Sequence, residues 1–579
     1  MKRKISCFLI FIFYLAIELA HAAQAMYSVT IPENNWRIAK VSCQIMLKNG
    51  LLYMNNEGAE DVPNGYAHFI QNLNISDTTG SPLPVEDLGG ARWKTKFQTT
   101  QPIILSYEVL LNHDESAFSW NDEIPYGRED CVFWTGRALF ILSDTHDISV
   151  HFDIPTGWRV TTPWQSIKSQ NNSFSVKDEV DLAESFILAG THIESQVSMK
   201  DTELLIAIGG WLKESMQILQ ETVKKFPEPF TKLFHGAPKG RMLIILNPFN
   251  EKDSLTGSIF GRCVSALGGY PLTIENKTKW VHFFAHEFFH IWNGGTIRYA
   301  KQEYWFSEGF TEYYSYVMLA RLGLISEQDF LNSLAVAFKE YLAKSGQISI
   351  RCAENENLFT FPLIYDGGRL FAASLDIKIR KYTNNRKSLD DLMQQMFQEF
   401  GETGSKYSMK DVIRIANSIS GNDLTNFFEK YIEGANELPF EEYLGYAGLE
   451  AQKHIGKSQL SSEYVIKKLL QIQSLGHAPE GLIIHTPKDK AYQDKDVLVA
   501  IEGRPVKTHD DIRNIAENWK SGNQVTLTLK RGNREITIVI ILGGEKGKVI
   551  MERTVEVTIT KKKKITNKEQ SILLGILNN

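Results

Sequence analysis

The 579-residue chain is short of cysteine, has no marked excess of one charge sign and contains one long apolar run. Its five cysteines include no CxxC pair, which argues against a cysteine-ligated metal site. With 63 basic and 68 acidic residues the net charge is −5, so the chain lacks the basic footprint of a nucleic-acid-binding protein. Apolar residues make up 43% and charged residues 23%, which excludes a wholly disordered, collagenous or coiled-coil chain.

The one long apolar run lies at the N-terminus and has the features of a secretory signal peptide. Three basic residues, 2–4, precede the apolar residues 7–17, and small residues between 20 and 25 offer cleavage sites. This run is too short to span a bilayer, and no other stretch reaches about 18 apolar residues. We therefore expect residues 1–25 to be removed, leaving a secreted or periplasmic protein with no stable membrane span.

Signal removal would leave four cysteines, Cys43, Cys131, Cys263 and Cys352. An oxidising compartment permits one or two disulfides among them, in any of three pairings if both form. Isolated buried thiols are the alternative, and the sequence leaves the choice open.

Changes in hydrophobic period predict a multidomain α+β chain. Short alternating runs separated by turn residues predict a β-sandwich-like N-terminal domain over 26–195. A second domain is predicted over 196–450. It has apolar residues at helical spacing over 204–226, a buried strand at 242–246 and a mainly helical pattern from 277. Strands around a short helix at about 510–519 predict a small domain over 457–544, and the lysine-rich end, 545–579, is expected to be solvated.

The sequence HEFFH at 286–290 carries the clearest chemistry. Residues four apart lie on one face of a helix, so His286 and His290 can both bind one zinc ion. Glu287 then lies beside the metal, where it can accept a proton from the attacking water. A catalytic zinc site needs a third protein ligand and an open position, and an antiparallel second helix would bring Glu308 to the same point.

Two further side chains near this motif have other expected roles. Glu312, one turn beyond Glu308, could accept a hydrogen bond from the second nitrogen of a ligand histidine. His282 precedes His286 by one turn, and we interpret it as a packed or hydrogen-bonded histidine, because a fourth protein ligand would close the site. Solvated surface charges are the alternative for Glu308 and Glu312.

The segments HEFFHIWN at 286–293 and WFSEGFTEYY at 305–314 resemble the glycyl-aminopeptidase family of zinc metallopeptidases. The stretch 361–395, which includes YDGG at 365–368, resembles the next segment of that family, and 496–506 is similar to part of a bacterial PDZ domain. The resemblance implies a β-rich N-terminal domain, a thermolysin-like helical catalytic domain and a C-terminal PDZ domain, in that order.

Transferred onto this sequence, the resemblance implies zinc ligation by His286, His290 and Glu308, with Glu287 as the general base. Tyr365 matches a tyrosine that donates a hydrogen bond to the tetrahedral intermediate in related aminopeptidases; one more packed tyrosine is the alternative. Arg298 and Arg380 either bind a substrate carboxylate or pair with acids, and we favour pairing. The substrate-binding residues are not identified.

The sequence also departs from the family pattern. Relatives carry a glutamate before the zinc helix that holds a substrate's free amino group, whereas 256–265 contains no acid and includes Arg262. The spacing between His290 and Glu308 is also shorter than we expect for the family. The PDZ-like segment lacks a Gly-Leu-Gly-Phe loop, and Lys495-Asp496 stands where Gly-Asp is usual.

These observations predict an exported zinc peptidase that acts on peptides or proteins, with aminopeptidase and endopeptidase activity both open. A peptide ligand at the PDZ-like domain is a further expected partner. Two alternatives remain: a non-catalytic scaffold that uses the groove and the PDZ-like domain to hold partners, and hydrolysis of a non-peptide substrate at the same zinc.

Overall fold

A computed structural model of the chain describes residues 25–47, 50–59, 62, 64–95, 102–111, 123–198, 203–238, 240–249, 254–355, 362–460, 465–487, 491–493, 495–520, 522–542 and 551–578. Apart from Ala25, the predicted signal peptide lies outside the described residues. The chain divides into two compact units: residues up to Arg298 with Phe400–Gly404, and Tyr299–Glu399 with the residues from Ser405 onward.

The first unit begins with a region rich in β-strands. Its strands are β1 Ala25–Thr30, β2 Ile38–Ile45, β3 Leu51–Tyr53, β4 Ile70–Asp77, β5 Val85–Asp87, β6 Arg92–Thr95, β7 Ile103–Leu110, β8 Tyr126–Arg128, β9 Cys131–Thr135, β10 His146–Asp153, β11 Arg159–Thr161, β12 Gln165–Ser166, β13 Ser173–Asp178 and β14 Phe186–Gly190. Its short helices are a 3-10 turn at Gly65–Phe69, α1 Gly136–Leu139 and α2 Glu179–Ala183. The sheets have the strand orders β12-β13-β10-β1-β2-β7-β4, β11-β14-β9-β8 and β3-β6-β5.

Alternating side chains explain why these segments form strands with one face in the core. In β1 and β7 a buried residue alternates with a part-buried one along the strand. Buried tyrosines add specific bonds, since the Tyr27 hydroxyl donates to Ile141 O at 2.7 Å and the Tyr107 hydroxyl to Leu139 O at 2.9 Å. The prediction of a β-rich N-terminal region is confirmed.

A further sheet of this unit, with five strands, leads to the histidine motif. It contains β15 Ile193–Ser198, β16 Glu203–Ile208, β17 Met242–Pro248, β18 Leu255–Phe260 and β19 Cys263–Gly268, in the order β15-β16-β17-β19-β18. Strands β16, β17 and β19 are parallel, and β18 is the antiparallel edge strand. The helices are a 3-10 turn at Gly210–Ser215, α3 Met216–Val223, α4 Pro227–Phe234 and α5 Lys277–His290.

The helical prediction over 204–226 is wrong at its start. Residues 204–208 lie in β16, paired in parallel with β17, and only 216–223 form an α-helix. A short apolar run such as Leu204–Ile208 suits a buried strand and a buried helix equally well, because neither exposes a polar face.

The second unit is mainly helical up to about residue 448. The helices are α6 Tyr304–Arg321, α7 Glu327–Lys344, α8 Gly368–Tyr382, α9 Leu389–Met396, α10 Met409–Ser420, α11 Thr425–Phe428 and α12 Phe440–Tyr446. A 3-10 turn at Cys352–Asn355, π-helical turns at Leu363–Gly367, Phe397–Gly401 and Glu429–Glu433, and the short strands β20 Arg298–Tyr299 and β21 Lys406–Tyr407 complete the region. Capping boxes at Ser326, Ser388 and Ser408 define the starts of α7, α9 and α10.

The last part of the chain contains two sheets. Its elements are β22 Leu449–Leu460, a π-helical turn Val465–Leu469, β23 Ile472–Ala478, β24 Gly481–Pro487, β25 Val497–Ile501, β26 Arg504–Pro505, α13 His509–Ile515, β27 Gln524–Arg531, β28 Arg534–Ile541, β29 Met551–Lys561 and α14 Asn567–Leu577. One sheet has the order β23-β24-β25-β27-β28, with β26 on β25, and the other pairs β22 with β29. The predicted strands around one short helix are thus present.

The expectation that 545–579 is a solvated end is contradicted by the described residues 551–578. Strand β29 pairs antiparallel with β22 from Leu449–Lys561 to Leu460–Met551. Helix α14 has a capping box at Thr566, and its apolar residues Ile572, Leu573 and Ile576 are buried. The run of four lysines, 561–564, suggested a solvated end, although it occupies only the last residue of this strand and the start of the connection to the helix.

The four described cysteines are free thiols, of which Cys43, Cys131 and Cys263 are buried and Cys352 is exposed. Burial raises the pKa of the Cys131 and Cys263 thiols to about 12. The structure therefore supports the isolated-thiol alternative. Over the described residues, the helices are too short or too polar to cross a bilayer.

Candidate metal centre

The sequence of α5 buries one face of the helix and thereby fixes its histidines. Trp280, Phe284 and Phe288 are fully buried. The Phe288 ring packs edge-on against Phe230 of α4 at 5.4 Å between centroids. His286, Glu287 and His290 are only 6–8% exposed, and aromatic packing leaves these polar groups little rotational freedom.

The hydrogen bond of His290 fixes its protonation pattern. Its Nδ1 lies 2.8 Å from the Asn293 carbonyl oxygen. Because a carbonyl only accepts, Nδ1 must carry the hydrogen, and in the neutral imidazole Nε2 then presents a lone pair. His290 Nε2 and His286 Nε2 face each other at 3.0 Å, close to the separation of about 3.3 Å that two nitrogen ligands have on a tetrahedral zinc ion.

Glu308 completes the predicted ligand set. One ligand atom from each of His286, His290 and Glu308 lies within 4.8 Å of the other two. Two imidazoles and one carboxylate are the donor set of catalytic zinc sites, which keep a fourth position for water or substrate. The residues present therefore fit zinc, and the structure brings the three predicted ligands together.

Glu312 and His282 belong to a second, overlapping group. His282, His286 and Glu312 also offer ligand atoms within 4.8 Å of one another. Glu312 therefore lies near His286, one of the predicted ligands, and the hydrogen bond between them stays a prediction. His282 contributes to this second group and not to the set that contains His290 and Glu308. Its interpretation as a packed or hydrogen-bonded histidine stays a prediction.

Glu303, at the start of α6, is a site-supporting residue that the sequence analysis missed. It is 1% exposed, and its carboxylate accepts a hydrogen bond from Trp305 Nε1 at 2.7 Å and pairs with Arg351 Nη2 at 2.7 Å. The Met409 backbone N–H donates to the same carboxylate at 3.3 Å. These bonds hold the first turn of α6, the helix that carries Glu308. The sequence offered only an acid two residues before the WFSEG segment.

A contact between glycines places the segment of Tyr365 against α6. A Cβ at Gly309 would lie 2.4 Å from Gly368 Cα, and a Cβ at Gly368 would lie 2.6 Å from Trp305 O. Only glycine allows the two backbones this close. Gly309 follows Glu308 directly and Gly368 follows Tyr365 by three residues, so the contact brings the YDGG segment to the helix that carries Glu308.

Asp366, next to Tyr365, is a further titratable group that the sequence analysis missed. Burial, and then the negative charge of Glu312, raise the pKa of its carboxyl to about 7, while Arg369 opposes the shift. The turn that contains Asp366, Leu363–Gly367, is π-helical, a conformation common at functional sites.

The arginines singled out in the sequence pair with acids or backbone oxygens. Arg380 Nε lies 3.0 Å from Asp376 Oδ1, and both side chains are buried. Arg298 Nε donates to Gly295 O at 3.0 Å, and its Nη2 lies 3.9 Å from Glu184. The expectation of structural pairing is therefore confirmed.

Arg262, which stands in the stretch where relatives have an acid, also has a structural partner. It lies between β18 and β19 and its Nη2 donates to Asp181 Oδ1 at 2.9 Å. The two strands contain no acidic residue from Leu255 to Gly268, so this hairpin supplies no carboxylate for an amino group.

Two sequence profiles match the chain. Residues 279–387 match the M61 glycyl aminopeptidase domain, and residues 62–191 match the peptidase M61 N-terminal domain. The matched segments include the histidine motif, Glu308 and Tyr365, in the order found here. The chain contains an M61 glycyl aminopeptidase domain and an M61 N-terminal domain. It is accordingly a zinc metallopeptidase, a hydrolase of peptide bonds.

Solved structures share the fold of this M61 family member. An aminopeptidase N family protein from Idiomarina loihiensis superposes with a TM-score of 0.69 at 19% identity, over 96% of this chain and 100% of the other. An M1 zinc metallopeptidase from Deinococcus radiodurans, in a variant bound to a Tyr-Ser-Ala substrate, gives a TM-score of 0.50 at 12% identity, over 72% of this chain and 95% of the other. At such identities the likeness establishes the fold. No curated protein sequence matches this M61 chain.

Proposed function

We propose that this M61 metallopeptidase is an exported zinc aminopeptidase in which Glu287 is the general base. The observation that carries the proposal is the convergence of the His286, His290 and Glu308 ligand atoms. Glu287, which directly follows His286, is buried. A site with three protein ligands and an adjacent base is built for hydrolysis and not only for structural metal binding.

The residues of the site divide the chemistry among them. When bound, zinc polarises the scissile carbonyl and lowers the pKa of water. Glu287 accepts the proton of the attacking water and returns it to the leaving amine. The Tyr365 hydroxyl donates a hydrogen bond to the oxyanion that develops on the scissile carbonyl. Glu312 holds the orientation of His286.

The aminopeptidase assignment rests on the family and not on a visible amine anchor. The β18–β19 hairpin presents no carboxylate, so a free substrate amino group must be held elsewhere or not at all. An endopeptidase is therefore the second candidate, and the absence of acids from Leu255 to Gly268 is the observation that favours it.

Residues 465–542, which we name the C-terminal module, are proposed to be PDZ-like and to bind a peptide. Their mixed arrangement of β23–β28 with the short helix α13 supports this assignment. Lys495 has φ 70° at the position where relatives have glycine, and the following Asp496 is buried and bonded to Arg531 at 2.7 Å and 2.8 Å. Export is proposed from the signal-like residues 1–25, and determining the N-terminal residue of the protein secreted or released from the host tests it.

The direct test is a peptide-library digest by the wild-type protein and by Glu287→Gln. We expect chelator-sensitive cleavage by the wild type, restored by zinc, and a loss of at least about 10³-fold in kcat for the variant at equal zinc content. Products that shorten by one residue from the N-terminus identify an aminopeptidase, whereas internal cuts identify an endopeptidase.

Zinc binding by both proteins with cleavage by neither would contradict the proposal. That result would favour a non-catalytic scaffold or a non-peptide substrate. Cleavage by Glu287→Gln at the wild-type rate would instead remove Glu287 from its proposed role.

A further inference from the structure

Two routes of buried and part-buried hydrogen bonds connect α6 with the C-terminal helix α14. In the first, the Tyr313 hydroxyl donates to Asp376 Oδ2 at 2.8 Å, and Arg380 Nε donates to Asp376 Oδ1 at 3.0 Å. Arg380 Nη1 donates to Asn385 Oδ1 at 2.9 Å, and Asn385 Nδ2 donates to the Ser571 carbonyl of α14 at 2.9 Å.

The second route is shorter and ends at the last turn of α14. The Tyr314 hydroxyl donates to Asp390 Oδ1 at 2.8 Å, and Arg321 Nη1 donates to Asp390 Oδ2 at 3.0 Å. Arg321 Nε donates to the Ile576 carbonyl at 2.9 Å. Carbonyls in the last turn of a helix lack intrahelical partners, and a cation there also complements the helix dipole, so Arg321 caps α14.

The charges in both routes are compensated. Each aspartate faces one arginine, and each tyrosine stays neutral because burial and its aspartate raise the pKa of the phenol well above its usual value. A buried ion pair tends to hold its geometry, because loss of one partner leaves a buried charge alone. The routes therefore resist displacement of either helix.

The two tyrosines fix α6 in two directions. Consecutive residues of an α-helix project about 100° apart, so Tyr313 and Tyr314 are anchored on different sides of α6. Anchors on two sides prevent rotation of the helix about its axis as well as translation along it. Glu308 lies on the same uninterrupted helix, fewer than two turns before these anchors, and rotation of α6 would swing its carboxylate.

We infer that the C-terminal helix α14, acting through Arg321 and Asn385, positions Glu308 for metal binding. This inference rests on the proposed zinc ligands. It extends the metal centre to a segment that follows the C-terminal module and lies well beyond residue 387, where the M61 profile match ends. Arg321 and Asn385 are positioning residues, since they act through α6 and do not themselves bind the metal.

Gly575 offers a way to disturb this contact without deleting a polar partner. A Cβ at Gly575 would lie 2.6 Å from Arg380 Nη1 and 2.8 Å from Asn385 Nδ2. Gly575→Ala therefore forces the first route apart, although alanine itself favours the helix. Its matched control is Leu574→Ala, because Leu574 lies on the exposed side of the same helix.

The experiment measures the zinc dissociation constant by competition with a chromophoric chelator, and the visible spectrum of the cobalt-substituted protein, well below the unfolding temperature. We expect Arg321→Ala to weaken zinc binding by about 10-fold, Arg321→Lys to recover part of the loss, and Gly575→Ala to weaken binding by about 3-fold. The cobalt spectrum should change with the affinity, and Leu574→Ala should match the wild type in both.

The inference would be overturned if folded Arg321→Ala and Gly575→Ala showed unchanged zinc affinity and an unchanged cobalt spectrum. These residues would then have a purely structural role, visible only as a lower Tm. If Arg321→Ala does not fold, Gly575→Ala decides alone. A wild-type protein that binds no zinc would overturn the proposed metal centre first, and the inference with it.

Discussion

At the scale of single residues, the centre depends on a few bonds that set protonation and direction. The Asn293 carbonyl determines which nitrogen of His290 is free to bind a metal, and Glu303 holds the turn before Glu308. Spacing in the sequence was sufficient to predict His286 and His290, because i, i+4 histidines on a helix converge by geometry alone. Glu308 was predicted from an expected antiparallel second helix and from the family resemblance. Asp366 and Glu303 could not be predicted, because their roles come from burial and from partners distant in sequence.

The raised pKa of Asp366 predicts a pH-dependent stability. The folded carboxyl has a pKa of about 7, whereas an unfolded aspartate has a pKa of about 3.9. The folded state therefore holds the proton more tightly, and free energy of unfolding is lost as pH rises from about 4 to about 7. Because Asp366→Asn does not titrate, we expect it to be more stable than the wild type by about 1–2 kcal/mol at pH 8 and to lose most of this advantage by pH 5.

Urea unfolding of the two proteins at both pH values measures this difference. An advantage of Asp366→Asn that is equal at pH 5 and pH 8 would show that Asp366 does not carry the shifted titration.

At the scale of elements, close contacts and unusual backbone angles decide where helices and turns lie. The approach of Gly309 and Gly368 lets α6 meet the start of α8, and the positive φ of Lys495 shapes the turn before β25. In the sequence these positions stand out only as residues of motifs. The structure shows the backbone contact at Gly309 and Gly368 and the backbone angle at Lys495. The misassigned segment Leu204–Ile208 shows the opposite case, in which an apolar run alone could not distinguish strand from helix.

Gly368→Ala should destabilise the protein. The added methyl would meet Trp305 O at 2.6 Å and Gly309 Cα at 2.8 Å, and both are backbone atoms. We expect a loss of about 1–3 kcal/mol of unfolding free energy, with lower zinc affinity because α6 must move. The matched control is Gly445→Ala in α12, where only Lys562 Nζ lies nearby, at 3.6 Å.

Denaturant unfolding and zinc titration of both glycine variants test this expectation. Equal stability of Gly368→Ala and Gly445→Ala would mean that the glycine contact does not fix the position of α6.

Lys495→Gly should stabilise the C-terminal module. A side chain at φ 70° costs about 1–2 kcal/mol that glycine does not incur, and the greater freedom of unfolded glycine offsets part of this gain. We therefore expect a net gain of about 0.5–1 kcal/mol. Lys520→Gly, at an exposed position outside the left-handed region, should give no gain in unfolding free energy. A gain of the same size at Lys520 would show that backbone strain at Lys495 is not the cause.

At the scale of the whole molecule, the domains do not follow one another as uninterrupted segments of the chain. The chain leaves the helical region along β22 and returns along β29, where Leu460 and Met551 are paired. The C-terminal module is thus inserted between two paired strands, and α14 then packs near α6. The prediction of a solvated tail at 545–579 was wrong. The pairing of β22 with β29, about 100 residues apart, and the capping of α14 by Arg321 leave no local pattern in the sequence.

The β-rich, helical and C-terminal β regions were predictable because hydrophobic period reports local structure directly. The hydrogen-bond routes from Tyr313 and Tyr314 to α14 were not predictable, since each joins residues that are far apart in the sequence. Local motifs therefore identified the chemistry, whereas the supports of the site required the structure.

The measurement that tests the account most directly is the zinc content of wild type, Glu308→Gln and Glu312→Gln after equal dialysis against zinc-free buffer. The two variants make the same change one helical turn apart, and each affects a different overlapping group of potential ligands. We predict one zinc ion per chain in the wild type and in Glu312→Gln, and loss of zinc from Glu308→Gln. Retention by Glu308→Gln with loss from Glu312→Gln, or a wild type that binds no zinc, would contradict the assignment of His286, His290 and Glu308 as the metal ligands.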